Sequence, residues 1–335
     1  MSTLDAAPSD WLDWLLSLSM KGFPREMIIA RCCEKGLDEE YARLALTELV
    51  QNPLFRVCIR HLQHKAKSDS LLRVRAALDD MRDLGEIAEL NGISAKRFQT
   101  DFLAANRPLV LRGIAKPLQS TGPWSFRALK ERFGQNIVSV TSGLRWSDDP
   151  PFHFDPPKIR IQFGEFLDLV RQTPEADTLY LTAEDALLTQ DGFEELISEA
   201  QWPSPYLNPA RATPDMIKVW IGPGGTLTRL HHDRQNVLLV QLEGSKIVTL
   251  ASSAHLPRMA NVFGCSSRFS ATSKEAARSG VHFRELTIDP GDALLIPIGW
   301  WHEVRSLGPS ISISYDNLVG GESLWTGVYW IRDLN

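Results

Sequence analysis

Thr228-Arg229-Leu230-His231-His232-Asp233 places two histidines and an aspartate at the end of a strand-like run. In an extended chain residues i and i+2 face the same way, so His231 and Asp233 reach a common point while His232 faces the other side. A third donor, His302 in Gly299-Trp300-Trp301-His302, comes 69 residues after Asp233, a separation that a barrel closes by laying the second strand beside the first. Two imidazoles and one carboxylate on one face of a metal, with the opposite face open, form the donor set of a non-haem Fe(II) centre that activates O2. An H-x-D pair alone is a weak signal, and the chain holds another at His153-Phe154-Asp155. That copy lies between Asp148-Asp149-Pro150-Pro151 and Pro156-Pro157, a loop composition in which polar side chains are solvated.

The pair at 231 and 233 is distinguished by the strand-like runs downstream of it. The apolar run Val237-Leu238-Leu239-Val240-Gln241-Leu242, the turn Glu243-Gly244-Ser245 and the run Lys246-Ile247-Val248-Thr249-Leu250 are expected to form a hairpin next to the metal. Leu286-Thr287-Ile288, the turn Asp289-Pro290-Gly291-Asp292 and Ala293-Leu294-Leu295-Ile296-Pro297 are expected to form a second hairpin that delivers His302. Ser310-Ile311-Ser312-Ile313-Ser314-Tyr315 alternates as a last strand. The pattern predicts an α+β protein built on a double-stranded β-helix, or jelly roll, with its ligands facing the mouth.

In order along the chain, G-x-x-T-x-x-L-H-x-D, L-x-x-Q-x-x-G-x-K, P-G-D-x-L-x-I-P-x-G-W-W-H and S-I-S-I-S resemble the JmjC-type, cupin-like oxygenases that use Fe(II) and 2-oxoglutarate. The likeness runs from about residue 85 to about 320 and is greatest to bacterial cupin-like members and the JmjC protein hydroxylases. It implies iron at His231, Asp233 and His302, with 2-oxoglutarate as cosubstrate. Lys246, 13 residues after Asp233, matches the lysine that pairs with the distal carboxylate, where an ammonium is a natural counter-ion. Without the resemblance, a lysine just past a turn reads as solvated. Thr228 matches a hydroxyl donor to the same carboxylate, and Tyr180 a phenol with that purpose; otherwise each is an ordinary strand residue. Ser314 and Asn317 are candidates to line the pocket. Two positions depart from the family pattern: Arg229 stands where relatives generally carry proline, and Asp316 near an aromatic position of some protein hydroxylases. Both bear on the substrate rather than on the iron.

A chain of 335 residues that is 43% hydrophobic has room for one large domain and a small one. Its net charge of −5, with acids and bases mixed, gives no sign of nucleic-acid binding. Neither an apolar run of membrane-spanning length nor a charged-then-apolar leader is present, so neither a membrane span nor a signal peptide is expected. Cys32, Cys33, Cys58 and Cys265 have neither zinc spacing nor the pattern of a disulfide framework, which makes a reducing cytoplasm the simplest compartment.

Residues 1–84 read as a small helical region and 85–335 as the oxygenase domain. Trp11, Leu12, Trp14, Leu15, Leu16 and Leu18 start an apolar face, Pro24 and Gly36 punctuate it, and Tyr41, Leu44, Ala45, Leu46 and Leu49 resume it up to Pro53. A further helix from Leu54 to Leu84 carries Arg56, Arg60, His61, His64, Lys65 and Lys67. Two readings of this region stand: a docking module for a partner or peptide substrate, or a cap or homodimer element with a solvated basic face. Ser94 is expected to cap a helix through Phe102, and Asn106-Arg107-Pro108-Leu109-Val110-Leu111-Arg112-Gly113 to be a strand entering the barrel. Trp124 to Phe133 reads as a short helix with a stop at Gly134, Ile137-Val138-Ser139-Val140 as a strand, and Phe163 as the start of another helix. Residues 144–158 read as a loop over the site, and 251–284 as an insertion at the barrel mouth with His255 and His282 on its surface. The tail Leu324-Trp325-Thr326-Gly327-Val328-Tyr329-Trp330-Ile331 is a candidate to cover the N-terminal helices or a second subunit.

The resemblance thus implies a dioxygenase that converts 2-oxoglutarate to succinate while hydroxylating a protein or peptide side chain. A small metabolite as substrate and N-methyl demethylation are variants of the same chemistry. A metal-binding cupin without 2-oxoglutarate chemistry and a non-catalytic binding protein are the readings from other classes. The intact donor triad argues against the last.

Overall fold

Among the described residues, alternation and apolar runs resolve into fifteen strands. The first five are β1 (Ala88–Leu90), β2 (Leu109–Leu111), β3 (Ile137–Ser142), β4 (Lys158–Gln162) and β5 (Leu179–Tyr180). The central five are β6 (Ile217–Gly222), β7 (Leu227–His232), β8 (Val237–Glu243), β9 (Lys246–Ala251) and β10 (Asn261–Phe263). The last are β11 (Ser266–Ser267), β12 (Arg284–Ile288), β13 (Ala293–Ile296), β14 (Trp301–Ser306) and β15 (Ser310–Tyr315). Two six-stranded sheets, ordered β1-β2-β13-β8-β15-β6 and β10-β11-β7-β14-β9-β12, form the jelly roll, and β4-β3-β5 makes a small third sheet. The computed structural model describes residues 14–15, 17–19, 23–82, 86–116, 118, 124–142, 157–173, 179–263 and 265–320. The second H-x-D pair at 153–155, most of the Asp/Pro loop and the apolar tail lie outside the described residues.

Both expected hairpins are corrected. β8 pairs with β13 and β15, whereas β9 pairs with β14 and β12, so the Glu243-Gly244-Ser245 turn carries the chain from one sheet to the other. The same holds for β12 and β13, which lie in different sheets on either side of the Asp289-Pro290-Gly291-Asp292 turn. A tight turn between two apolar runs is common to a hairpin and to a sandwich corner, and burial on both faces separates the two. β8 is buried at Val237 through Leu242, and β13 at all four positions, as central strands of a covered sheet are. Gly244 makes the first corner possible, because it has φ +70° and a Cβ there would lie 2.2 Å from the Pro309 carbonyl oxygen.

Asp292 fixes the second corner. Its carboxylate accepts from Arg112 Nη1 at 2.6 Å, from the Gly113 amide at 2.9 Å and from the Asp289 amide at 3.0 Å, tying β2 to the β12–β13 turn. Asp292→Ala is expected to lower stability by about 3–5 kcal/mol, the range for removing one member of a buried charged pair. A urea unfolding midpoint reads the loss.

The space between the sheets is filled by Val237, Leu239, Val248, Leu250, Ile288, Leu294, Ile296 and Trp300. The outer face of the first sheet is covered by the lead-in elements, among them α4 (Phe126–Phe133) and α5 (Phe163–Gln172), whose Phe126, Leu129, Phe133, Phe163, Phe166 and Leu167 pack with Leu238, Val240, Ile311 and Ile313. Ser125 caps α4 by accepting from the Ala128 amide at 3.1 Å. Gly134 ends it for a different reason from a left-handed turn: its backbone meets that of Gly164, and a Cβ would lie 2.4 Å from the Lys130 carbonyl oxygen. Ser94 caps its short helix as expected, accepting from the Arg97 amide at 3.3 Å. β4 begins at Lys158, the last residue of the expected loop.

Contacts divide the chain into two compact units, Met1–Arg75 and Ala76–Asn335. The first contains α1 (Arg25–Glu34), α2 (Glu39–Gln51) and most of α3 (Pro53–Arg82). Ile28, Ile29 and Cys32 of α1 pack with Ala42, Ala45, Leu46 and Leu49 of α2, a spacing that puts each set on one helical face. Asp38 caps α2 by accepting from the Tyr41 amide, and Asn52 caps α3, accepting from the amides of Leu54 and Phe55. The last turns of α3 belong to the second unit, where Asp79 accepts from Ser252 Oγ at 2.8 Å and Asp80 from Arg284 Nη2 at 2.9 Å. His255, expected at the surface, is 1% exposed, with Nε2 3.5 Å from Asp80; His282 is half-exposed beside the same carboxylate.

Candidate metal centre

His231 lies on β7, Asp233 just past its end, and His302 on β14. The two strands pair so that His231 and His302 are direct partners and the intervening His232 faces Trp301. The two imidazole rings are 4.1 Å apart between centroids. Asp233 reaches both, with carboxylate oxygens 3.7 Å from His231 Nε2 and 3.5 Å from His302 Nε2. All three donor atoms lie within 4.8 Å of one another. The Gly299 amide donates to the Asp233 carbonyl at 3.0 Å, fastening the end of β7 to the turn that leads into β14.

The backbone also fixes the ring tautomers. His231 Nδ1 is 2.7 Å from the Arg229 carbonyl oxygen and His302 Nδ1 is 3.0 Å from that of Trp300. A carbonyl only accepts, so each Nδ1 carries the hydrogen and each Nε2 turns a lone pair toward Asp233. Burial, and then the charge on His231, lowers the His302 pKa to about 4, which keeps that ring neutral. Burial alone would raise the Asp233 pKa; the neighbouring imidazoles and Lys218 turn the net shift downward. Two imidazoles and one carboxylate with lone pairs converging on one point fit a divalent metal.

The donors open into a cavity of about 400 Å3. Val237, Leu239, Ile296 and Val304 form its apolar wall; Lys246, Thr228, Tyr180 and Ser314 also line it. Lys246 is 2% exposed at the start of β9, and its Nζ is 6.0 Å from the centre of the Tyr180 ring. Among the described residues no carboxylate lies within ion-pair distance of it, and burial lowers its pKa to about 7. A buried ammonium facing a cavity without a counter-ion is a receptor for an anionic group. Thr228 is three residues before His231 on β7, opposite Val304. Ser314 Oγ accepts from Trp220 Nε1 at 3.0 Å.

The profile of the cupin-like domain family matches residues 95–315, which include the three donors and every strand that carries them. The chain belongs to the cupin-like, JmjC-type family. Among its relatives, "Lysine-specific demethylase 8" of Danio rerio is 28% identical over 69% of this chain and 58% of the relative. "Jumonji C domain-containing protein 5" of Drosophila melanogaster is 29% identical over 69% of this chain and 59% of the relative. "Lysine-specific demethylase JMJ30" of Arabidopsis thaliana is 25% identical over 85% and 67%. The chain thus spans under three-fifths of the length of the first two. Fe(II) and 2-oxoglutarate are the cofactors of JmjC-type oxygenases, and the donor triad with its neighbouring ammonium fits both.

Within this cupin-like site, Asn317 is the one expected lining residue that does not line the cavity. It braces a loop instead, donating from Nδ2 to the Asn208 carbonyl at 2.9 Å and accepting the Asn208 amide on its own carbonyl at 2.7 Å. Trp300, just before β14, and Trp301, its first residue, pack in two separate apolar clusters rather than in the cavity. Lys218, Trp220 and Gln235 are cavity residues that the sequence reading passed over. The signal for them was present: Gln235 continues the alternation through 231 and 233, and Lys218 and Trp220 alternate on β6 with the buried Ile217, Val219 and Ile221. Asp316 is buried in the cavity wall, where it accepts from both Lys218 and Gln235, and burial raises its pKa to about 6.

Proposed function

We propose that the protein is an Fe(II)- and 2-oxoglutarate-dependent oxygenase that oxidises a C–H bond of a protein or peptide side chain. The observation that carries this reading is the uncompensated, buried Lys246 in the cavity that holds His231, Asp233 and His302. Iron bound at the triad supplies the redox chemistry that couples decarboxylation of 2-oxoglutarate to succinate with transfer of one oxygen atom of O2 to the substrate. His231, Asp233 and His302 hold the ion. Lys246 takes the distal carboxylate of 2-oxoglutarate, with Thr228 and Tyr180 beside it as hydroxyl donors. Val237, Leu239, Ile296 and Val304 keep water from that end of the cavity.

Protein as the substrate class is supported by the relatives' names, which also favour a second reading, removal of an N-methyl group from lysine. Hydroxylation and demethylation share every residue assigned above and differ in the fate of the oxidised carbon. The four free cysteines fit a reducing compartment such as the cytoplasm, and no helix among the described residues is long and apolar enough to cross a membrane.

Succinate release from 2-oxoglutarate by the Fe(II)-loaded protein in air, against a His231→Ala, Asp233→Ala control, tests the first reading. Absence of both succinate and 2-oxoglutarate binding would overturn it. Mass spectrometry of unmodified and N-methyl-lysine peptides separates the alternatives, since one product gains an oxygen atom and the other loses a methylene with release of formaldehyde. Tyr180→Phe is expected to raise the KM for 2-oxoglutarate about tenfold, the size of one hydrogen bond to a charged group. Steady-state kinetics at varied 2-oxoglutarate reads it.

A further inference from the structure

The first unit contains a second cavity, of about 490 Å3, that the proposed oxygenase chemistry does not use. Its floor is apolar: Phe23, Ile28, Leu46, Phe55 and Ile59, contributed by α1, α2, α3 and the residues before α1. Its rim carries the exposed guanidiniums of Arg25, Arg56 and Arg60. Arg25 donates to Thr47 Oγ1 and the Arg43 carbonyl, and Arg56 Nε to the Val50 carbonyl at 2.8 Å. These acceptors are neutral, and among the described residues none of the three arginines forms an ion pair; Glu26, which feels the charge of Arg25, is paired with Arg43. The sequence of α3 adds further basic residues. The first four turns of α3 hold Arg56, Arg60, His61, His64, Lys65 and Lys67 and no acid, in a chain whose net charge is −5. Val50, which lines the same cleft, is 46% exposed.

We infer that this groove docks an acidic, amphipathic helical segment of a partner protein. A concave apolar floor between helices accepts side chains spaced i, i+3, i+4 and i+7 on one helical face, while arginines held in no ion pair around it select carboxylates on the flanks. A nucleic-acid backbone would use the arginines and gain nothing from a desolvated floor of phenylalanine and isoleucine. A bilayer would call for apolar side chains that project, whereas the floor residues are recessed. The site is independent of the metal centre, so its test does not depend on turnover.

The probe is a fluorescein-labelled helical peptide of about 16 residues, long enough to hold a helix, with leucine at i, i+3, i+4 and i+7 and glutamate elsewhere. Anisotropy with the full chain is expected to show saturable binding that weakens with added salt. Val50→Asp with Arg60→Glu, both at exposed positions, is expected to weaken it at least tenfold while leaving the thermal melt unchanged. Should that pair impair folding, Arg60→Gln alone is expected to weaken binding severalfold. Equal binding of a peptide with lysine in place of glutamate, or binding indifferent to the substitutions, would overturn the inference. So would binding of duplex DNA or phosphatidylserine vesicles in place of the peptide. Sedimentation showing a dimer that the substitutions dissolve would assign the groove to a second copy. Peptide binding seen only after deletion of residues 321–335 would assign it to the chain's own tail.

Discussion

Asp233→Ala is expected to abolish Fe(II) binding and to reduce succinate release to background. The substitution removes the only carboxylate of the triad and leaves two imidazoles whose ring centres are 4.1 Å apart, each still held by its own backbone carbonyl. A metal with two neutral donors loses both a bond and the charge that offsets its own. The effect is expected to exceed the roughly 10–100-fold that accompanies loss of an outer hydrogen bond to a ligand. Thermal unfolding with and without metal separates this from misfolding. Wild-type protein at a metal concentration 100 times the Kd gains about 2.7 kcal/mol by mass action, and the variant gains none. His302, with its pKa near 4, stays neutral through ordinary working pH, so protons compete for its Nε2 only as the pH falls toward that value. Retention of Fe(II)-dependent turnover by Asp233→Ala would remove the carboxylate from the ligand set.

The grouping of His231, Asp233 and His302 was legible because two short-range rules suffice for it. Strand parity puts His231 and Asp233 on one side, and a second strand supplies His302 in register. Sheet connectivity was less legible. Glu243-Gly244-Ser245 and Asp289-Pro290-Gly291-Asp292 obey the same local turn chemistry whether they close a hairpin or cross between sheets. The deciding information is the set of partners each strand finds far along the chain, such as β13 with β2 and β8. Asn317 shows the same limit at the scale of one side chain. It lies just past β15, which carries the lining residue Ser314, but the chain has already turned there toward Asn208. His255 was misplaced because its burial comes from Asp80, Arg284 and the end of α3, none of which its own neighbours in sequence disclose. Lys246 needed the family resemblance, since a lysine just after a turn is ordinarily solvated.

Lys246→Met is expected to have effects of opposite sign on the free protein and on the complex with 2-oxoglutarate. In the free protein the ammonium is buried without a carboxylate, and methionine fills the same space without a charge. The free variant is therefore expected to be more stable than wild type below about pH 7, where the wild-type lysine is charged in both folded and unfolded states. The folded pKa of about 7 lies below the unfolded value of 10.5, so between these limits the unfolded chain binds more protons. Wild-type stability must then rise with pH across that window, and the variant must lack this rise. Binding of 2-oxoglutarate reverses the balance. A carboxylate beside Lys246 favours the charged form, returns its pKa toward the ordinary range and flattens the wild-type curve. The variant loses that partner, at a cost on the order of 3 kcal/mol, which corresponds to an affinity for 2-oxoglutarate lower by about 100-fold. Urea unfolding across pH, with and without 2-oxoglutarate, measures both signs in one series. A variant as active as wild type at low 2-oxoglutarate would move the site to a metal-dependent cupin chemistry that does not use this cosubstrate. A variant more stable when free and deaf to 2-oxoglutarate would tie the stability lost by burying the ammonium to the binding energy recovered when the cosubstrate arrives.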